Sequence, residues 1–256
     1  MTEEIINQSI LFIVSFTANL FASVSGGGAG FIQFPLLVLL GLPFATALGT
    51  HKVAVVFLGL GAIARKGKLS EYKFDKQISA IMLFIGCPAV VLGSLIVIAV
   101  PAKTAEIALG IITIASGIYT LAKRSFGAKT IENRSLKRTI IGTCLMILVG
   151  LFSGSLSSGA GLFSTLTLAG VFGLDLKRAI MHTMVFVATI WNIVGAITVG
   201  SLMGIHWQWI PVMIIATFTG SWLGTNLLIH LPVRVVRVIF SFVAMLSGII
   251  LLCEAF

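Results

Sequence analysis

Charged side chains are what this sequence most lacks. Asp, Glu, Lys and Arg make up only 10% of its 256 residues, against roughly 25% in soluble domains. Hydrophobic residues make up 58%, and the mean hydropathy is +1.12. So little polar surface cannot cover a water-facing exterior, which excludes a soluble globular protein. Cysteine is also scarce: Cys87, Cys144 and Cys253 are isolated, odd in number and form no CxxC pair. That excludes a disulfide framework or a thiolate metal site, and all three are expected to be inert buried thiols. The sequence points to no metal and no cofactor.

Acids are the scarcest charge. The eight of them (Glu3, Glu4, Glu71, Asp75, Glu106, Glu132, Asp175 and Glu254) fall in loops, at span ends or at the termini. The absence of a carboxylate at mid-membrane argues against a carboxylate proton relay or a Na⁺ cage of Asp and Glu, so that a coupled proton would ride on histidine or on the substrate. The formal charge of +9 does not indicate nucleic-acid binding, because Lys and Arg sit in short loops where they act as topology signals. Met1 to Asn7 carries two Glu and no Lys or Arg, unlike the basic start of a cleavable signal peptide, so the first apolar segment is expected to be a retained helix.

What is present is a series of apolar stretches at about 5–25, 29–42, 44–64, 77–100 and 104–122, then, after a basic linker, at about 139–156, 160–174, 179–199, 207–230 and 235–253. Most have roughly the 20 residues that a helix needs to cross the hydrocarbon core. The second of each set is shorter and follows a Gly/Ser-rich break, as suits a half-helix or a re-entrant or interrupted span. Unbroken apolar runs without period-2 alternation exclude a spanning β-barrel. The expected class is therefore an all-α integral membrane protein of about ten segments in the lipid bilayer.

The two sets resemble one another at an offset of 131 residues. Phe21 matches Phe152, Gly28-Ala29-Gly30 matches Gly159-Ala160-Gly161, His51 matches His182, Gly93 matches Gly224, Pro101 matches Pro232 and Gly117 matches Gly248. Local gaps shift the register near 45–70, where Thr50 pairs with Thr183. This divides the chain into a first repeat (1–122), a basic cytoplasmic linker (123–138) and a second repeat (139–256). If the 65–76 loop and the linker face the cytoplasm and every segment crosses, fifteen Lys and Arg fall inside and only Lys103 outside, with Lys52 in a span. If the short segment of the second set did not cross, the ratio would fall to 11:5. The positive-inside rule therefore favours five crossings per repeat, which makes the copies inverted and places both termini outside the cell (inner) membrane.

Interrupted helices at matching positions of inverted repeats point to a transporter site near the midplane. The breaks are Ser23-Val24-Ser25-Gly26-Gly27-Gly28-Ala29-Gly30 and Ser153-Gly154-Ser155-Leu156-Ser157-Ser158-Gly159-Ala160-Gly161. Glycine lets the backbone leave helical geometry and lets a ligand approach its amides, and the half-helix that follows aims partial positive charge at the cavity. Ser25, Gly26, Gly27, Gly28 and Gly30, with Ser157, Ser158, Gly159 and Gly161, are candidate anion-binding positions. Isolated pairs such as Gly150–Gly154 and Gly220–Gly224 read instead as close helix packing. His51 and Lys52 lie eight and nine residues into the third span and His182 holds the equivalent place, so all three are candidate substrate ligands. Thr50, Thr183 and Asn192 join them, and Gln33 and Asn19 are weaker candidates.

The run Ser-Gly-Gly-Gly-Ala-Gly-Phe-Ile-Gln-Phe-Pro at 25–35 and Ala-Leu-Gly-Thr-His-Lys at 47–52 resemble the sulfite exporter TauE/SafE family. Gly-Ala-Gly at 159–161 and the stretch Ala179, His182-Thr183 and Asn192 carry the likeness into the second half. The resemblance implies a permease for sulfite, small organosulfonates or related sulfur compounds. This sequence departs from the family's first break at Ala29, which interrupts the glycine run, and at Ser23, where some members carry an acid. A passive anion channel would use the same donors and remains open. An intramembrane serine hydrolase built on Ser157 or Ser158 with His182 is disfavoured, because Gly26 and Gly27 occupy the equivalent first-half positions and no nucleophile motif surrounds the serines. No motif sets an oligomeric state, and a homo-oligomer is compatible with the sequence.

Overall fold

The structure is a computed structural model that describes residues 2–65, 74–96, 102–123, 125–131, 134–156 and 159–255. Among these residues there are helices and no strands. In chain order they are α1 (Thr2–Ser25), α2 (Gly30–Leu39), α3 (Phe44–Ala64), α4 (Lys76–Ile96) and α5 (Ala102–Ala122), then α6 (Leu136–Ser155), α7 (Ala160–Val171), α8 (Leu176–Met203), α9 (Ile210–His230) and α10 (Val233–Ala255). Seven of these are long and apolar enough to cross a membrane, and the described stretches Gly30–Leu39, Thr113–Ala122 and Ala160–Val171 are shorter apolar helices. At 1.5 Å per residue, α2 is about 15 Å long, half the thickness of a hydrocarbon core of about 30 Å.

Local chemistry sets the ends of these helices. Asp75, Ser135 and Asp175 are N-caps whose side chains accept the amides of Ile78, Arg138 and Arg178, which satisfies donors that a helix leaves open at its start. Pro43 in extended geometry precedes α3, and Pro211 opens α9. Three helices contain π-helical turns, at Met82–Gly86 in α4, Thr167–Val171 in α7 and Thr183–Trp191 in α8. Trp191 in the last of these donates Nε1–H to the Met82 carbonyl in the first, at 2.7 Å.

The exterior is apolar: Phe84 is 73% exposed and Ile197 67%. Such a surface suits lipid and not water. It also corrects one expectation, because Cys144 and Cys253 are exposed and only Cys87 is partly buried. In a membrane protein the outer helix faces are as apolar as the core, so an apolar stretch does not imply burial in protein.

Helix packing is close and reciprocal. A Cβ at Gly224 on α9 would strike the Leu20 carbonyl on α1, and one at Gly93 on α4 would strike the Leu151 carbonyl on α6. Similarly, Gly248 on α10 lies against the Gly110 carbonyl on α5, and Gly117 on α5 against the Ser241 carbonyl on α10. In both cases the second contact is the first with the 131-residue offset applied to one partner and removed from the other. Gly220 packs on the Phe16 backbone and Gly150 on the Ala89 side chain, so these glycines do serve helix contact.

Polar contacts gather at two ends of the bundle. At one, Trp209 Nε1 donates to Glu4 (3.1 Å), the His206 amide to Thr50 Oγ1 (2.9 Å) and Thr46 Oγ1 to the Met203 carbonyl (3.3 Å). At the other, Arg134 pairs with Asp75 (3.0 Å), Arg138 caps the Val171 and Gly170 carbonyls, Lys177 donates to the Ile229 carbonyl and Arg65 to Asn226. Helices α3, α8 and α9 each run from one group to the other. Glu4 therefore sits at the end opposite Arg134 and Arg138.

Candidate functional site

The two glycine breaks meet inside the bundle. Helix α1 stops because Gly26, Gly27 and Gly28 hold φ of +81°, +153° and +104°, a region that favours glycine. Ser25 Oγ ties this turn by donating to the Gly27 carbonyl at 2.7 Å. Before α7, Gly159 holds φ +82°. A Cβ at Gly27 would lie 2.8 Å from Gly161 Cα, and one at Gly161 would lie 2.7 Å from the Gly26 carbonyl oxygen. The backbones thus touch with no room for a side chain. Thr165 Oγ1 adds a 3.3 Å hydrogen bond to the Gly26 carbonyl.

A cavity of about 30 Å³ opens beside this crossing, room for a water or two. Of the sequence candidates, Gly26, Gly27, Gly28 and Gly30 line it from one break, and Gly159 and Gly161 from the other. His51, Thr183 and Asn192 complete its polar wall, while Val55, Leu58 and Val187 supply apolar surface. No Asp or Glu lines it among the described residues.

Lys52 is fully buried one residue beyond His51. Its Nζ donates to the carbonyl oxygen of Ser153, itself a cavity residue, at 2.5 Å. Gly195 makes space for it, since a Cβ there would come within 3.1 Å of Lys52 Cδ and Nζ. The cavity wall thus combines glycine backbone with neutral polar side chains, and Lys52 reaches it through Ser153.

Other candidates lie elsewhere. Thr50 is buried but faces the 204–206 turn, where its Oγ1 accepts the His206 amide. Ser25 acts on the backbone of its own turn. Ser157 and Ser158 lie outside the described residues. His182 does not line the cavity: Nδ1 meets the Arg178 carbonyl at 2.8 Å and Nε2 accepts the Asp75 amide at 3.0 Å, with Phe74 and Phe186 around the ring. A carbonyl can only accept, so Nδ1 carries the proton and both nitrogens are satisfied.

His51 is held differently. Its Nδ1 lies 3.1 Å from Gln33 Oε1, and Gln33 Nε2 donates to Ser15 Oγ (2.9 Å) and Thr217 Oγ1 (3.4 Å). Asn19 Nδ2 also reaches Thr217 Oγ1 at 3.2 Å. This buried network, drawn from α1, α2, α3 and α9, was only partly visible beforehand. Gln33 and Asn19 stand out as amides in apolar runs, but Ser15 and Thr217 are ordinary small polar residues of membrane helices.

A multi-pass helical bundle in which two interrupted segments cross beside a buried cavity is the architecture expected of a membrane transporter. Comparison with known proteins agrees. The family model for the sulfite exporter TauE/SafE matches residues 11–251, and the chain belongs to that family. It is 24% identical to "Probable membrane transporter protein ORF9" of Sinorhizobium sp over 248 residues, covering 96% of this chain and 92% of that one. It is 28% identical to "Probable membrane transporter protein YfcA" of Escherichia coli K12 over 235 residues (89% and 83%), and 27% identical to a "Probable membrane transporter protein" of Haemophilus influenzae over 222 residues (86% and 82%). No solved structure matches the chain. The protein is a membrane transporter.

Proposed function

We propose that the chain is a secondary transporter, a permease or exporter of the cell inner membrane that moves small sulfur-containing anions such as sulfite or organosulfonates. The observation that carries this is the crossing of Gly27 and Gly161 at a buried cavity that no carboxylate lines among the described residues, with Lys52 reaching the wall residue Ser153: a polar site without a carboxylate favours a small anion. The sulfur comes from the family's description.

The mechanism is alternating access by two inverted five-segment units, 1–122 and 139–256, joined by the cytoplasmic linker 123–138. The reciprocal contacts Gly224–Leu20 and Gly93–Leu151 support two units related by a two-fold axis. The gathering of Arg65, Arg134, Arg138 and Lys177 at the end opposite Glu4 supports a cytoplasmic linker and an external N-terminus. With about 30 Å³ of free space, the cavity has room for a water or two, and loading a sulfite or sulfonate requires it to widen as the halves move.

Counterflow tests this reading. Proteoliposomes preloaded with unlabelled sulfite should accumulate external labelled sulfite transiently above equilibrium. Simple equilibration without overshoot would identify a pore, and no flux of sulfite or of small sulfonates would overturn the anion assignment.

A further inference from the structure

The cavity wall holds more than anion donors. Asn192 is 5% exposed, its Nδ2 donates to the Val187 carbonyl at 2.8 Å, and its Oδ1 is buried without a hydrogen-bond partner among the described residues. A buried acceptor left unpaired in this way is destabilising unless a ligand or a water supplies the donor.

His51 presents a second acceptor. Gln33 commits its NH₂ to Ser15 and Thr217, so its oxygen faces His51 Nδ1, and that nitrogen must carry the proton of a neutral ring. The nitrogen on the far side of the ring, Nε2, then bears a lone pair and makes no hydrogen bond among the described residues. His51 and Asn192 both line the one cavity.

We infer that this site selects anions that themselves carry a hydrogen-bond donor: a hydroxylated sulfonate or carboxylate, or an oxyanion that keeps one proton. The anionic head lies against the backbone of the glycine breaks where α2 and α7 begin, and the O–H is accepted by His51 Nε2 and Asn192 Oδ1. This rests on the anion-site reading above and narrows its substrate class. Discrimination arises because an anion without a donor leaves both acceptors desolvated and unpaired, which a polar site penalises strongly. The Gln33–Ser15–Thr217 network has the role of fixing the His51 tautomer. It positions the acceptor and does not touch the ligand.

Matched anions test this on purified full-length protein by thermal shift and by competition in proteoliposomes. The pairs are 2-hydroxyethanesulfonate against ethanesulfonate, and glycolate against acetate. The hydroxylated member of each pair should bind about tenfold or more tightly. Asn192→Leu and His51→Phe should each narrow that gap, read as the ratio of the two affinities within each pair. Gln33→Leu, which frees the tautomer, should narrow it less. Equal binding within each pair would overturn the selectivity inference and leave the anion site standing. Absence of binding by all four would overturn both. If a variant fails to insert, competition by the matched pairs against the unmodified protein still decides the question.

Discussion

Gly27 and Gly161 stand backbone to backbone, one from the turn that ends α1 and the other from the first turn of α7, with no space between them for a methyl group. Two segments distant in sequence therefore share one point of closest approach, and the cavity lies beside it. Gly27→Ala and Gly161→Ala should each reduce transport by more than tenfold, because the added Cβ meets backbone, which cannot rotate away. Gly41 serves as the control. It also holds a positive φ, +95°, but a Cβ there meets nothing within 4 Å. Gly41→Ala should then show only backbone strain of about 1 kcal/mol and near-normal flux. Vesicle uptake normalised to inserted protein measures the difference.

Lys52 should control affinity more than folding. Its Nζ reaches a cavity-lining residue, Ser153. Lys52→Gln keeps a donor and loses the charge, so KM for the transported anion should rise roughly 10- to 100-fold, the loss of a hydrogen bond to a charged group. Gly195→Leu should mimic this without touching Lys52 itself, because its side chain would displace the lysine stem. Normal KM in both variants would separate the ammonium from the transported anion.

Much of this arrangement was legible in the sequence, for identifiable reasons. Hydrophobic length shows helices of the membrane class directly, and the ten apolar stretches lie within a few residues of α1 to α10 at most ends. Glycines that recur at a fixed offset mark backbone that must come close, and Gly93 and Gly224 do so against Leu151 and Leu20. Side-chain direction was not legible. His51 and His182 occupy matching positions, yet His51 reaches the cavity and His182 binds the Asp75 amide. A sequence offset matches positions along the chain but not the partners that surround them. The burial of cysteine was misjudged for a related reason: an apolar run reads the same whether its neighbour is protein or lipid.

The two histidines should consequently behave differently when replaced. His182→Phe leaves the part-buried Asp75 amide without its acceptor, at about 1 kcal/mol of stability, and should lower the Tm of the solubilised protein. KM for the transported anion should stay as it was, since His182 is off the cavity wall. His51→Phe leaves the buried Gln33 Oε1 without a donor and should also lower Tm, but it should in addition alter anion selectivity. Thermal unfolding and uptake kinetics on the same preparations distinguish them.

The Asp75–Arg134 pair makes a pH-dependent tie between the start of α4 and the linker. Burial alone would raise the Asp75 carboxyl, but the Ile78 amide and the Arg134 guanidinium outweigh it and hold the group below its ordinary range. A carboxylate depressed in the folded state adds stability above its unfolded pKa, near 4, and loses it as the pH falls through the lower folded value. Asp75→Asn keeps the cap on Ile78 and removes the charge. At pH 7 the variant should therefore be less stable, by about 1 kcal/mol or less for a partly exposed pair. The gap in Tm should close as the medium is acidified below about pH 4, where the wild-type carboxylate also takes up a proton. A gap that persists unchanged at low pH would show that Asp75 stabilises the fold through shape and hydrogen bonding rather than charge.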